Sequence, residues 1–245
     1  MLTGDEATRR AYLSGRLAEV RGRIAAACVD AGRDPGEVTL VAVTKTYPAS
    51  DVRLLADLGV HDIGENKDQE AAAKVAELAD TDVLVRWHFV GQLQRNKAKS
   101  VAGYADLVHS VDSAPLAAAL DRAAGRLRDA PLDVLVQLSL DGDPARGGAV
   151  KGAEVPERDL DRVISEIVDA RSLRLAGVMA VVPLGADPAE AFTRLNEFAH
   201  ALRHDHSGAT IISAGMSADL EAAIAAGATH VRIGSALLGK RAPLG

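Results

Sequence analysis

Short apolar runs alternate with longer amphipathic stretches along most of this chain. The runs are rich in Val, Ile and Leu, and turn-forming residues bound them. A run that is apolar at nearly every position is typical of a strand buried on both faces, as in a parallel sheet. The pattern predicts eight strands, at 38–44, 60–63, 83–90, 106–111, 132–140, 173–182, 209–213 and 230–233.

The stretches between these runs are rich in Ala, Leu, Glu and Arg and repeat their apolar residues at helical spacing. A further helix precedes the first strand, because its apolar residues step by four and three positions along one face. That stripe consists of Leu13, Leu17, Val20, Ile24 and Ala27. The seven helices between strands are predicted at 49–58, 67–79, 93–103, 114–128, 157–170, 188–204 and 217–227.

Eight strands with a helix after each of the first seven favour an α/β fold, a (β/α)8 TIM-type barrel with an extra N-terminal helix. A dinucleotide-binding sheet would need G-x-G-x-x-G after its first strand, but that position reads TKTYPAS. No linker or low-complexity stretch divides the chain, so we expect one domain over 1–245. The segment 141–149 is rich in turn residues and is expected to be a surface loop.

Composition excludes several classes of function. The chain has 245 residues, 48% of them hydrophobic, and a formal net charge of −6. These proportions are ordinary for a soluble globular protein, and the acidic balance argues against nucleic-acid binding. Neither a membrane span nor a secretory signal is visible, so the sequence predicts a cytoplasmic protein. Cys28 is the single cysteine, and the seven histidines lack metal-ligand spacing, so no metal site is predicted.

The ends of the strands are the most informative positions, because chemistry in such a barrel gathers at their carboxyl ends. The first strand finishes in Lys45. A lysine there often extends to water, but in a mostly apolar barrel mouth its pKa would be lowered. The free amine could then form a Schiff base with an aldehyde.

Arg232 lies within the otherwise apolar eighth strand, H-V-R-I-G. An unpaired buried guanidinium is costly, so it needs a partner. That partner is either a barrel carboxylate such as Glu65 or a polar atom of a ligand. His88, between Trp87 and Phe89, fits a hydrogen-bonded core histidine better than a catalyst.

The loops after strands seven and eight have the composition of an anion site. Ser213, Gly215, Met216 and Ser217 run towards a helix predicted to start near Ala218, and a second loop carries Gly234 and Ser235. Exposed backbone N–H groups at such loops bind phosphate in many barrels. The alternative is that Ser217 is only a helix cap and Gly234 only a turn residue. The pattern in both loops favours phosphate.

An amine, an arginine and a phosphate grip in these places fit pyridoxal 5′-phosphate (PLP), and at this point the sequence resembles the YggS/PROSC family of PLP homeostasis proteins. The motifs occur in the family's order from about residue 38 to 240. They are V-A-V-T-K-T (41–46), G-E-N (64–66), W-H-F-V-G-Q-L-Q-x-N-K (87–97), G-V-M-A (177–180), G-M-S-A-D-L-E-A-A-I-A-A-G (215–227) and V-R-I-G-S-A-L-L-G (231–239).

The resemblance implies a PLP-binding barrel of the alanine-racemase type, with the cofactor held by Lys45 as a Schiff base. Arg232 would face the pyridine nitrogen, and Asn66 and Met179 would line the pocket. The phosphate would be contacted by Ser213, Met216, Gly234 and Ser235. Two residues depart from the family pattern: Lys67 replaces an aromatic residue after G-E-N, and Ala214 replaces a methionine in the seventh-strand motif.

The resemblance and the chemistry together favour a carrier that holds PLP for vitamin B6 homeostasis without catalytic turnover. A charged arginine at the pyridine nitrogen weakens the electron sink that PLP enzymes use. The related racemases also need a second base, a tyrosine, and a C-terminal β-domain, for which about six residues after the last motif leave no room. The alternatives are a small PLP-dependent amino-acid racemase and a Schiff-base aldolase or lyase acting on a phosphorylated substrate. We expect a monomer whose partners are PLP and PLP-dependent apo-enzymes.

Overall fold

A computed structural model describes residues 3–143 and 147–239. Within these residues, eight parallel strands close into a barrel in sequence order, so each strand pairs with its neighbours along the chain and β1 pairs with β8. The expected TIM-type barrel with an N-terminal helix is confirmed. The strands are β1 (Thr39–Val43), β2 (Asp62–Glu65), β3 (Arg86–Phe89), β4 (Leu107–Val111), β5 (Leu132–Gln137), β6 (Leu173–Met179), β7 (Ile211–Ser213) and β8 (His230–Ile233).

Helices surround the barrel in the alternation that the sequence predicts. They are α1 (Gly4–Asp30), α2 (Ala49–Asp57), α3 (Asp68–Leu78), α4 (Ala98–Tyr104), α5 (Ala114–Leu127), α6 (Leu160–Asp169), α7 (Pro188–Asp205), α8 (Leu220–Ala225) and α9 (Ser235–Leu238). The short α9 follows β8 and was not predicted. The helix predicted at 93–103 begins instead as a 3₁₀ turn at Arg95–Lys97 before α4.

The leading helix α1 is capped and amphipathic, as its sequence indicates. Thr3 and Glu6 form a reciprocal capping box at its start, which satisfies two backbone donors. All five residues of the predicted apolar stripe are buried, together with Cys28. They join α2, β1 and β8 in one apolar cluster, so α1 packs against the outside of the barrel next to the first and last strands.

Two apolar clusters fill the layer between strands and helices, while a small cluster lies inside the barrel. The inner cluster contains Leu107, Leu135, Ala176 and Met179. Alternation along each strand places one set of side chains towards the helices and the other towards the barrel axis. Much of the remaining interior carries polar groups, which the site below uses.

The segment 141–149 is only partly the surface loop that its composition predicts. Residues 144–146 lie outside the described part, and residues 147–149 are buried. Ala149 donates its N–H to the carbonyl of Gln137 at 2.7 Å, and Gly148 donates to Asp112 Oδ2 at 3.4 Å. The end of this segment therefore packs against the barrel beside β5.

In the part of the chain described here, no helix is both long and apolar enough to span a bilayer. The same residues contain no group of three or more His, Cys, Asp or Glu side chains that could hold a metal ion.

Candidate functional site

The guanidinium of Arg232 is buried inside the barrel and is held by the last residue of β7 and by the residue that follows β6. Its Nη1 donates to Ser213 Oγ at 2.6 Å, and its Nη2 donates to the carbonyl of Ala180 at 2.9 Å. Burial lowers the pKa of Arg232 to about 10. The sequence allowed Glu65 as a partner of Arg232. That alternative is wrong, because Glu65 is hydrogen-bonded to Lys74 and Thr44 instead. Among the described residues, no carboxylate contacts Arg232 directly, so three of its five N–H donors are left for a ligand.

Lys45 lies in the turn that follows β1, at the carboxyl end of the barrel, and its side chain is exposed. Val41 and Val43 face the barrel interior, since a Cβ at the inward Gly64 would lie 3.1 and 3.2 Å from their methyl groups. Alternation continues this inward series to Lys45. The apolar surroundings expected for Lys45 are not found, because the residue is open to solvent.

The residues on both sides of Lys45 are fixed by helix α3. Lys74 Nζ donates to the Thr44 carbonyl at 2.8 Å and also to Glu65 Oε1, which accepts a second bond from the Thr44 hydroxyl at 2.6 Å. On the other side, the Thr46 N–H donates to Glu70 Oε2 at 3.0 Å. We call these contacts of Glu65, Glu70 and Lys74 the α3 clasp.

Thr46 is the one non-glycine residue with positive φ, at 66°, in the described part of the chain. Such a backbone costs about 1–3 kcal/mol and persists where its surroundings over-determine it. The bond from Thr46 N–H to Glu70 supplies one such constraint. The turn that carries Lys45 is therefore strained, and the contact with Glu70 helps to keep it in this conformation.

Asn66 directly follows β2, and extending the pairing of Val43 with Gly64 by two positions places it level with Lys45. Its Oδ1 is buried and has no hydrogen-bond partner among the described residues. Gly91 packs directly on the Asn66 backbone, where a Cβ would overlap the Asn66 carbonyl. The departure at Lys67 is exposed, with its Nζ 3.4 Å from Glu70 Oε1.

The loops after β7 and β8 meet and present backbone donors. Gly215 has a φ of 88°, and a Cβ there would lie 2.6 Å from Ala223 Cβ, so only glycine fits. The amide N–H groups of Ser217, Gly234 and Ser235 donate to no acceptor in the described residues. Such converging free donors suit an anion.

Ser217 is neither the cap of α8 nor an isolated turn residue. Helix α8 begins at Leu220 rather than near Ala218, and the Ser217 hydroxyl accepts the N–H of Ala236 at 3.2 Å. The hydroxyl of Ser235 donates to it weakly, at 3.4 Å. Ser217 therefore joins the two loops. The Met216 N–H donates to Asp219 Oδ1, while its side chain is exposed.

Two predicted site residues, Ser213 and Met179, and the family departure Ala214 lie below the mouth of the barrel. Ser213 is fully buried, and its hydroxyl is bonded to Arg232 and His109, so it acts on Arg232 rather than standing in the phosphate loops. Met179 is buried in the inner apolar cluster. Ala214 is buried in the outer core, and its N–H donates to the carbonyl of His230. The departure at Ala214 thus leaves the backbone donors of the loop in place.

The interpretation of His88 as a hydrogen-bonded core residue is confirmed. Its Nε2 lies 2.9 Å from Asp62 Oδ1, and its Nδ1 lies 2.9 Å from His109 Nε2. Sequence reasoning did not single out Asp62 or His109, nor the α3 clasp. The visible signal for His109 was a polar pair, His109–Ser110, within the apolar run of the fourth strand.

Comparisons with known proteins agree on one family. The family model described as alanine racemase, N-terminal domain, matches residues 26–242. A pyridoxal phosphate homeostasis protein of Mycobacterium leprae is 44% identical over 250 residues, covering 97% of this chain and 95% of its own length. The protein of that name from Escherichia coli K12 is 36% identical over 234 residues, covering 94% of this chain and 97% of its own length.

Among solved structures, PipY of Synechococcus elongatus with PLP bound is similar at a TM-score of 0.77 and 35% identity. The match covers 93% of this chain and 100% of that chain. The resemblance that the sequence motifs indicated is therefore confirmed, and the chain belongs to the alanine racemase N-terminal domain family.

Proposed function

We propose that this chain is a PLP-binding protein of vitamin B6 homeostasis that holds the cofactor on Lys45 and does not turn over a substrate. The observation that carries this proposal is the composition of one barrel mouth. An exposed amine, a buried guanidinium with unused donors and two loops of free backbone N–H groups lie at the carboxyl ends of β1, β8 and β7.

The groups present fit PLP. Lys45 would supply the amine for the Schiff base with the cofactor aldehyde, and Arg232 would donate to the pyridine nitrogen. The N–H groups of Ser217, Gly234 and Ser235, in the two loops that also carry Gly215 and Met216, would hold the phosphate. The unpartnered Asn66 Oδ1 offers an acceptor beside Lys45 for a polar group of the cofactor.

The relatives support the same ligand. Proteins that share 44% and 36% identity with this chain over nearly its whole length are named pyridoxal phosphate homeostasis proteins. PipY, at 35% identity, has a structure with PLP bound. Because these matches span the chain, we extend their ligand and role to it.

The tyrosines support a carrier over a racemase. A racemase needs a second base at the mouth, and the chain has three tyrosines. The Tyr47 hydroxyl donates to the Gly239 carbonyl at 2.9 Å, and Tyr12 lies on α1 with its hydroxyl near Gly239. The Tyr104 hydroxyl is buried in the helix layer, where burial raises its pKa. The hydroxyl of Tyr47 is engaged, that of Tyr104 is buried and that of Tyr12 lies near Gly239, and these positions favour the carrier.

We further propose that the binding unit is a single barrel domain acting as a monomer, and that PLP-dependent apo-enzymes accept the cofactor from it. Lys45 is exposed at the mouth, so the bond to the cofactor stays within reach of an acceptor amine. An acceptor amine would form the new imine as the imine bond to Lys45 breaks, so that Lys45 would regain its free amine and PLP would be released.

One spectroscopic and kinetic experiment tests this function. Purified protein given PLP should show the visible absorption band of a Schiff base, and Lys45→Ala should lose it while Lys67→Ala keeps it. The protein should exchange the α-hydrogen of D- or L-alanine with deuterium no faster than free PLP does. Exchange at catalytic rates would favour the racemase. A colourless protein that becomes covalently linked to a sugar phosphate on borohydride reduction would favour the aldolase.

A further inference from the structure

Five polar side chains, each from a different strand, form an unbroken hydrogen-bond chain through the barrel interior. Arg232 Nη1 lies 2.6 Å from Ser213 Oγ, which lies 2.8 Å from His109 Nδ1. His109 Nε2 lies 2.9 Å from His88 Nδ1, and His88 Nε2 lies 2.9 Å from Asp62 Oδ1. Apart from Asp62, all of these side chains are buried. A cation therefore stands at one end and a carboxylate at the other.

With both histidine rings neutral, the two ends determine the direction of every hydrogen bond between them. Asp62 accepts, so His88 must carry its proton on Nε2, and a neutral His88 then accepts at Nδ1. His109 must therefore donate from Nε2 and accept at Nδ1, which the Ser213 hydroxyl satisfies. The lone pairs of Ser213 Oγ are then free to accept from Arg232. For neutral rings, this single arrangement of protons satisfies all four bonds.

The surroundings of His109 favour its neutral form. Burial lowers the pKa of His109, and the neighbouring His88 and Arg232 lower it further. Burial is the largest single influence on the pKa of Asp62 and acts to raise it, but the hydrogen bond with His88 and nearby positive charge, Arg86 included, together lower it. Two further groups face the chain from the same strands: Arg86 on β3, whose Nη1 lies 3.8 Å from Asp62 Oδ1, and His230 on β8, whose ring centre lies 6.2 Å from that of His88.

We propose that His109 and His88 are positioning residues that fix Arg232 through Ser213 and connect its charge to Asp62. This inference rests on the proposed function, in which Arg232 meets the pyridine nitrogen of PLP. Because the Ser213 proton points to His109, Ser213 can only accept from Arg232, and the guanidinium is held in one orientation. A fixed N–H donor keeps the pyridine nitrogen as an acceptor, which suits storage of PLP rather than carbanion chemistry.

The first test uses the protein without PLP. Nitrogen-15 NMR of labelled histidine should show His88 and His109 with protonated Nε2 and unprotonated Nδ1 at neutral pH, and His200→Leu serves as an assignment control on the exposed surface. In a second sample with nitrogen-15-labelled arginine, the guanidinium N–H signals of Arg232 should be resolved and should broaden in His109→Leu. A doubly protonated ring, or a proton on Nδ1 of either ring, would overturn the arrangement.

The second test measures PLP binding. Ser213→Ala and His109→Leu should bind PLP about tenfold more weakly, the loss expected for one hydrogen bond to a charged group, and should shift the absorption band. Ser213→Thr, which keeps the hydroxyl, should stay near wild type. His109→Asn, which keeps an acceptor near Ser213 but loses His88, should be intermediate and serves if His109→Leu does not fold.

Failure of the positioning role can be distinguished from failure of the proposed function. Folded variants with wild-type affinity and band would refute positioning through His109, while the loss of the band in Lys45→Ala would still support the proposed function. If Lys45→Ala keeps the band, the proposed function fails, and the NMR of the unliganded protein still decides whether the chain fixes Arg232.

Discussion

Lys74 places its ammonium group 2.8 Å from the carbonyl oxygen of Thr44, the residue immediately before Lys45. The same ammonium contacts Glu65, whose side chain is 1% exposed. Burial raises the pKa of Glu65, although the hydrogen bonds from Lys74 and Thr44 act against this. The end of β1 is thus attached to helix α3 by a buried ion pair.

Removing Lys74 should leave a buried carboxylate without its charge partner. We expect Lys74→Met to lower the free energy of unfolding by about 3–5 kcal/mol, because the remaining charge is uncompensated. The double variant Lys74→Met/Glu65→Gln should recover much of that loss. Urea unfolding measures both, with the exposed Lys67→Met as the control, expected within about 1 kcal/mol of wild type. Equal stability of Lys74→Met and wild type would show that the pair does not hold this strand end.

Glu70 should affect cofactor binding more than stability. Its carboxylate accepts the Thr46 N–H from the strained turn next to Lys45, and it is only half-buried. Glu70→Ala removes the acceptor of this N–H and makes the turn less ordered before PLP binds. We therefore expect PLP binding to weaken several-fold in an absorbance titration. Glu77→Ala lies on the exposed face of the same helix and should bind as wild type does. Identical affinities for the two variants would exclude a role for this contact.

A methyl group at position 91 should displace Asn66. The Cβ of Gly91→Ala would overlap the Asn66 carbonyl, which is backbone and cannot rotate away. We expect weaker PLP binding together with a loss of stability of about 1–3 kcal/mol. Gly103→Ala, where the nearest atom is Leu127 Cδ1 at 3.9 Å, should leave PLP binding unchanged and should not lower stability, because Gly103 lies in helix α4. Unaltered PLP binding in a folded Gly91→Ala protein would remove Asn66 from the site.

The interior histidines should make the fold less stable in acid. Burial, with a smaller contribution from His88, lowers the pKa of His230 from 6.5 to about 4. Between these values the unfolded chain binds the proton more tightly, so stability is complete above about pH 6.5 and falls as the pH drops towards 4. The contribution of His230 is up to about 3 kcal/mol.

Urea unfolding at pH 7, 5 and 4 tests this dependence. His230→Asn should show a flatter decline than wild type, whereas the exposed His200→Asn should keep the wild-type decline. The buried His109 contributes in the same direction and should leave some slope in His230→Asn. Parallel curves for His230→Asn and wild type would contradict the assignment of a low pKa to His230.

The alternation of apolar runs and amphipathic helices was sufficient to predict the barrel. Strand β8 was placed at its observed bounds, because turn residues flank a short buried run on both sides. The start of α8 was missed by about two residues because Ser217 looks like a helix cap, whereas its hydroxyl accepts from Ala236 in the next loop. Local sequence does not reveal a partner nineteen residues away.

The candidate site, too, could be predicted from the sequence only in part. Lys45, Arg232 and the two loops carry recognisable residue types at strand ends, so the barrel rule alone locates them. Ser213 looked like a phosphate ligand because it precedes a glycine loop, but its side chain faces inward to Arg232. The contacts of His109 and Lys74 join residues far apart in sequence, so periodicity could not pair them.

Borohydride reduction followed by peptide mapping tests most directly whether Lys45 holds PLP. Protein incubated with PLP, reduced and digested with trypsin should yield the adduct on a peptide spanning residues 34–53, because a modified Lys45 is no longer cleaved. The Lys45→Arg variant should yield no adduct there. An adduct on Lys67, Lys97 or another peptide, or no adduct in the wild-type protein, would contradict the assignment of Lys45.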